Sequence, residues 1–216
     1  MDRRNFIKNM AGITAASVLT VCQSKSEGKK PNVLLILADD FGWRQLGCYG
    51  STFYKSPNID KLASEGMRFT DAYAACPVCS PTRAALMTGK YPGRLHITDY
   101  IPGGTYDNEK LTMPQWQKFL PLEEKTIAEV LKEHGYATAA FGKWHLSIEK
   151  KPPASEPYNQ DKQGFDEYLV TYKPTRNQDP EKDAHNVEAI TSRSMDFMKR
   201  NKDNPFFLYV SHNTIH

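Results

Sequence analysis

The chain has 216 residues, 39% of them hydrophobic and 25% charged, which excludes collagenous, low-complexity and polytopic membrane classes and predicts one globular domain or a large part of one. Its formal charge of +3 falls to +1 once residues 1–21, with Arg3, Arg4 and Lys8 against Asp2, are set aside. A near-neutral body gives no electrostatic reason to expect a nucleic-acid partner. Four cysteines, Cys22, Cys48, Cys76 and Cys79, are too few for a disulfide scaffold in a chain of this length.

The chain opens with a basic start and an apolar run over 10–21. That run is shorter than the about 20 residues a membrane-spanning helix needs, so no stable span is expected. A basic start and a short apolar core describe an export signal. Arg3-Arg4-Asn5-Phe6-Ile7-Lys8 resembles a twin-arginine signal of bacteria. Asp2 stands where that signal has Ser or Thr, which leaves Sec export open, and Leu19-Thr20-Val21-Cys22 resembles a lipoprotein cleavage site. The expected organisation is a signal over 1–22, a polar linker over 23–30 and a folded region over 31–216, with residence in the periplasm or at the cell surface.

Asn32 to Asp40 is a continuous apolar run ending in two carboxylates, the pattern of a strand covered on both faces. Residues 56–66 start with Ser56-Pro57 and end at Gly66, which predicts a short helix with Ile59, Leu62 and Ala63 inward. Ser80-Pro81 starts a second helix. A third is predicted over 126–134, closed by Gly135, with Ile127, Val130 and Leu131 inward, and 136–141 reads as the next strand. A helix over 186–200, with Val187, Ile190, Phe197 and Met198 apolar, leads through Asn204-Pro205 into a last strand over 206–210. Strands alternating with helices predict an α/β fold around a largely parallel sheet, with functional groups beyond the carboxyl ends of its strands. Residues 91–121 and 150–183 lack periodicity and read as long loops of the functional kind.

Chemically capable groups sit at three strand ends: Asp39-Asp40, then Lys143 and His145, then His212 and His216. Paired carboxylates suit a hard cation such as Ca²⁺ or Mg²⁺. Lys143 and His145 alternate about Trp144, so an extended backbone would face both into one pocket. Cys79 is expected at a helix N-terminus, where backbone N–H groups favour an anion, with Arg83 one turn later on the same face. A nucleophile, an anion-binding helix end and an arginine fork suggest attack on a phosphate or sulfate ester. Cys76-Pro77-Val78-Cys79 also has redox spacing and could be half a zinc site. The segment lacks the position near the chain start expected of a thioredoxin-like motif, and no second Cys pair or spaced His pair completes a zinc cage.

Residues 77–89, with Cys79-Ser80-Pro81-Thr82-Arg83 followed by Leu86-Met87-Thr88-Gly89, resemble the signature of type I, arylsulfatase-like sulfatases. Gly135-Tyr136-Ala137-Thr138-Ala139-Ala140-Phe141-Gly142-Lys143-Trp144-His145 is similar to that family's second signature, departing at Phe141, where a smaller residue is usual. Asn32 to Asp40 resembles its first strand with the metal-binding aspartates, and 206–216 its strand ending in a catalytic histidine. Gln45 replaces an aspartate common in the loop between.

This resemblance implies an alkaline-phosphatase-like fold and hydrolysis of sulfate esters of carbohydrates or aryl alcohols. Cys79 would be converted by a formylglycine-generating enzyme to formylglycine, whose hydrate attacks sulfur and then expels sulfate. Asp39, Asp40 and the modified Cys79 would ligate Ca²⁺. Arg83 and Lys143 would neutralise transition-state charge, His145 would act on the diol proton, and His216 would contact sulfate or protonate the leaving oxygen, with His212 as runner-up. His96, Asp99 and Tyr100 are candidates for substrate recognition. The resemblance also implies further Asp-Asn ligands, a second lysine and a C-terminal subdomain beyond His216, so 31–216 is expected to be the N-terminal portion of a catalytic domain, inactive and poorly folded alone. The alternatives are an inactive sulfatase-like fragment that binds sulfated ligands and, further off, a phosphoester or phosphonate hydrolase.

Overall fold

The three apolar runs pair as strands in parallel, and a fourth, shorter strand joins them. The structure, a computed structural model, describes residues 29–104, 110–111, 113–148, 157–174, 179, 181–183 and 185–214. Its strands are β1 (Val33–Ala38), β2 (Ala137–Gly142), β3 (Glu167–Val170) and β4 (Phe206–His212). They form one sheet in the order β1-β4-β2-β3, and every pairing is parallel. In β4, flanked on both sides, only His212 escapes full burial, which explains its unbroken apolar sequence.

Parallel neighbours need long crossovers. Between β1 and β2 the chain runs through α1 (Pro57–Glu65), α2 (Cys79–Thr88), the single turn α3 (Pro92–Leu95) and α4 (Ile127–Glu133). The crossover from β3 to β4 is α5 (Val187–Arg200). The expected export segment lies outside the described residues. Among the described residues no helix is long and apolar enough to cross a membrane.

Side chains alternate along the strands onto two apolar layers. Val33, Leu35, Leu37, Ala140, Phe207 and Tyr209 pack on one face with Ala84 and Met87 of α2. Phe141, Leu208 and Val210 pack on the other with Ile190 and Phe197 of α5, where Phe197 meets Phe141 edge-on at 6.2 Å. On this second face Leu34 and Ile36 of the edge strand β1 remain 46% and 60% exposed.

Local signals set the helix ends. Thr126 caps α4 by accepting the Glu129 N–H at 3.2 Å, while the Glu129 carboxylate accepts the Thr126 N–H at 2.7 Å. The inner faces differ in part from expectation. No residue of α1 is buried, and Ile59 and Leu62 are exposed, because this helix packs on the turn at Gly47–Tyr49 rather than on the sheet. In α4 the fully buried residue is Ala128, with Leu131 packed beside it, whereas Ile127 and Val130 stay more than a third exposed. In α5 Ile190 and Phe197 are buried as expected and Val187 is not. Part of the presumed loop over 150–183 is β3, which pairs with β2 alone.

Candidate functional site

The strand register brings the chemistry to one end of the sheet. Ala38 lies opposite His212, and Gly142 opposite Ser211, so the segments leaving β1, β2 and β4 start side by side. Gly142 permits this closeness: its φ is +117° and an added Cβ would lie 1.8 Å from the Ser211 carbonyl oxygen. Lys143 then donates its backbone N–H to that oxygen at 2.8 Å, and the Asp39 N–H donates to the Thr214 carbonyl at 3.2 Å.

α2 aims its N-terminus and its arginine at the same place. Val78 is extended at the cap, Cys79 is the first helical residue, and Gly89 closes the helix with φ +69°. Arg83, one turn after Cys79, is 1% exposed. Its Nη2 donates to Asp39 Oδ1 at 2.9 Å, and its Nη1 to the Lys143 carbonyl at 2.9 Å, the Tyr209 hydroxyl at 3.0 Å and the Ser211 hydroxyl at 2.5 Å. The Asp39 Oδ2 accepts from Lys143 Nζ, so one buried carboxylate is held between two cations. Arg83 Nε is buried with no hydrogen-bond partner among the described residues.

Electrostatics follow from this packing. Burial pushes the Asp39 carboxyl up, but Lys143 and Arg83 outweigh it and hold it below the ordinary range, ionised. Burial opposes the Arg83 charge, while Tyr209, Asp39 and Cys79 favour it and raise its pKa. His145 is lowered to about 4, first by burial and then by Lys143 and Arg83, against the Ile101 carbonyl and Asp39. It is therefore neutral near pH 7. Its Nε2 lies 2.6 Å from the Ile101 carbonyl, which can only accept, so Nε2 carries the proton and Nδ1 is the free base. Nδ1 is buried without a hydrogen-bond partner among the described residues.

Asp39, Cys79, Arg83, Lys143 and His145 are thus brought together. Trp144 turns into the core as expected, but His145 reaches the site from a left-handed backbone, φ +59°, rather than an extended one. Asp40 follows Asp39 with φ +54° and is exposed. His212 is half-buried, and burial lowers its pKa against the opposing charge of Asp183. His216 lies outside the described residues. Ser80 accepts the Ile101 N–H at 3.0 Å, which carries Asp99 and Tyr100 toward the start of α2. His96 is exposed at the end of α3, and the Gln45 side chain serves its own turn by accepting the Gly42 N–H at 2.6 Å.

Sequence reasoning missed Tyr209, Ser211 and Asn213. All three are buried, and Asn213 donates to Thr171 Oγ1 at 2.7 Å. The available signal was polar groups inside or just past an apolar strand, since buried hydroxyls and amides need partners.

The residues present do not by themselves make a Ca²⁺ cage. Among the described residues no group of three or more His, Cys, Asp or Glu could hold a metal, and the two oxygens of Asp39 are engaged by Arg83 and Lys143. A Ca²⁺ ion takes six to eight oxygens. Cys48, Cys76 and Cys79 are free thiols, and among the described residues no cluster with zinc-ligand composition surrounds them.

The fold and site define an α/β protein that presents a cysteine on a helix N-terminus beside a buried arginine, lysine and carboxylate at the strand ends. The Sulfatase family model matches residues 31–216. Human arylsulfatase A is 39% identical over 158 residues, covering 73% of this chain and 28% of that protein, and mouse steryl-sulfatase is 40% identical over 149 residues, covering 69% and 23%. The crystal structure of Ps i-CgsB in complex with k-i-k-neocarrahexaose superposes with a TM-score of 0.68 at 31% identity, covering 87% of this chain and 46% of that one. The chain belongs to the sulfatase family, and its sheet is of the alkaline-phosphatase-like α/β kind. It spans about a quarter of the length of the curated relatives it matches.

Proposed function

We propose that this chain carries the nucleophile half of the active site of an exported sulfuric ester hydrolase acting on sulfated saccharides or aryl sulfates. The observation that carries the reading is Cys79 on the first position of α2, one turn from an Arg83 that is buried, charged and bonded to the ends of β1, β2 and β4. A sulfate monoester must lose its hydration shell to enter such a pocket, and fixed cations and helix N–H groups replace it. Arg83 and Lys143 supply the cations. His145, neutral at physiological pH, offers Nδ1 as an acceptor for a proton. His216 would act on the leaving oxygen from the segment after β4.

Cys79 would act after conversion to formylglycine by a generating enzyme, which supplies a hydrated aldehyde with one hydroxyl to attack sulfur and a second to release sulfate. Asp39, Asp40 and the modified Cys79 would contribute to a Ca²⁺ site, which takes further oxygen ligands. The crystallised relative that holds a neocarrahexaose supports a saccharide as the substrate class. The basic start and apolar run before residue 22 support export to the periplasm or cell surface.

Mass spectrometry of the Cys79 peptide from protein made in its native host, paired with an aryl sulfate assay, tests the reading. The aldehyde and turnover are expected, both lost in Cys79→Ala. A peptide carrying only thiol, from protein without sulfatase activity, would overturn it.

A further inference from the structure

Directly after Asp39 and Asp40 the chain builds a feature that the ester-hydrolysing centre does not use. The turns Trp43–Gln45 and Gly47–Tyr49 and the residues after them surround a cavity of about 390 Å³ lined by Trp43, Arg44, Tyr49, Phe53 and Tyr54. The aromatic side chains stand in solvent, Phe53 83% and Trp43 62% exposed. The Arg44 guanidinium lies 4.8 Å over the Trp43 ring, and Trp43 meets Tyr49 edge-on at 6.2 Å. Among the described residues Arg44 makes no ion pair. Single exposed aromatics are ordinary, but several around one cavity, beside a guanidinium that stacks on one of them and makes no ion pair among the described residues, suit a binding surface.

The walls are held in place. The Asp60 carboxylate accepts the Cys48 N–H at 2.7 Å and the Ser56 hydroxyl at 2.9 Å, and Ser56 accepts the Gly47 N–H at 2.8 Å. Tyr49 donates its hydroxyl to the Phe69 carbonyl at 2.7 Å, and Arg68 stacks 5.5 Å from its ring while donating to the Cys48 carbonyl. Gly47 leaves room for this anchor, since a Cβ there would lie 2.4 Å from Asp60 Oδ2. Anchoring the turn that carries Tyr49 lowers the ordering cost of binding on that side of the cavity. Arg44 follows Asp39 by five residues, so its Cα lies no more than about 18 Å from that of Asp39.

We propose that this groove is a saccharide subsite, in which an aromatic face takes the C–H face of a sugar ring and Arg44 pairs with an anionic group, sulfate or carboxylate, on that ring. The proposal rests on the sulfate-ester reading of the Cys79 site and names where a ring neighbouring the reacting one is held. A guanidinium fork matches the paired oxygens of either anion. The cavity has the size of a small-ligand site rather than of a protein or membrane interface.

The test uses the full-length protein, a sulfated galactan hexasaccharide, a sulfated glycosaminoglycan hexasaccharide and a small aryl sulfate. Binding is measured in the Cys79→Ala background and turnover with Cys79 intact. Trp43→Ala and Arg44→Ala should each weaken at least one hexasaccharide about tenfold more than the aryl sulfate, and Trp43→Phe should recover most of the Trp43 loss by restoring an aromatic face. Equal losses on both substrate sizes, unchanged hexasaccharide affinity, or no hexasaccharide binding would each overturn the subsite. Trp43-dependent hexasaccharide binding by a protein that hydrolyses no sulfate ester would support the subsite and overturn the sulfate-ester reading instead.

Discussion

Asp39, just past the end of β1, and Arg83, one turn into α2, meet at 2.9 Å with 6% and 1% of their surfaces exposed. The pair fastens the helix that presents Cys79 to the sheet that presents Lys143, so the site's electrostatics and its architecture are one structure. Losing the carboxylate would leave two buried cations facing each other, which costs about 3–5 kcal/mol for a buried pair. Asp39→Asn should therefore lower the unfolding free energy by that amount, read as a lower urea midpoint at unchanged m. In the double variant Asp39→Asn with Arg83→Met the loss should be smaller than the sum of the two single losses, because the pair is one interaction.

Acid should weaken the protein through His145. Its native pKa of about 4 lies below the ordinary 6.5, so between these values the unfolded chain binds a proton that the native state does not. Stability then rises with pH, and it is lost as pH falls from about 6.5 toward 4, by about 3 kcal/mol at most. The lowered pKa of His212 adds in the same direction. Asp39, also lowered, contributes a loss only below the ordinary carboxylate range. Urea unfolding at a series of pH values should show the slope in the parent and a flatter one in His145→Gln. An unchanged slope would mean that His145 is not buried neutral.

The site was legible in the sequence where chemistry is carried by local motifs. Cys79 and Arg83 share a helix whose start is written in Ser80-Pro81, and Lys143 and His145 follow a strand that ends in glycine. Its binding partners were less legible because they come together only through sheet register. Tyr209 reads as one more residue of an apolar strand until Arg83, 126 positions away, needs an acceptor. The same limit hid β3, whose four half-buried residues have no alternation and are strand only by pairing with β2. The amphipathic pattern of α1 misled for the opposite reason: Ile59 and Leu62 have helical spacing, but no sheet lies beneath them among the described residues.

Thr126 joins two jobs, capping α4 and donating its hydroxyl to the Gln163 carbonyl at 2.8 Å. It is fully buried, so Thr126→Ala removes a cap and leaves that carbonyl without its donor. A loss of about 1–2 kcal/mol is expected in urea unfolding. Thr126→Ser, which keeps the hydroxyl, should recover most of it. Since Gln163 also donates to the Leu120 carbonyl at 3.0 Å, the damage should spread to the amides of 120–126 in hydrogen exchange.

Two glycines with similar backbone angles should behave differently. Gly50 has φ +96° and open space where a Cβ would stand, so Gly50→Ala meets only the strain of a left-handed residue, about 1 kcal/mol. Gly142 has φ +117°, and its Cβ would collide with the Ser211 carbonyl, a backbone atom that cannot move without parting β2 from β4. Gly142→Ala should cost at least about 4 kcal/mol. It should also displace Lys143, whose N–H is bonded to that same carbonyl and whose Nζ reaches Asp39. Thermal denaturation should thus separate the two variants widely, and in the full-length protein any soluble Gly142→Ala variant should lose the proposed aryl sulfate turnover, which Gly50→Ala should keep. Equal, small shifts in melting temperature would show that β2 and β4 are not held this closely.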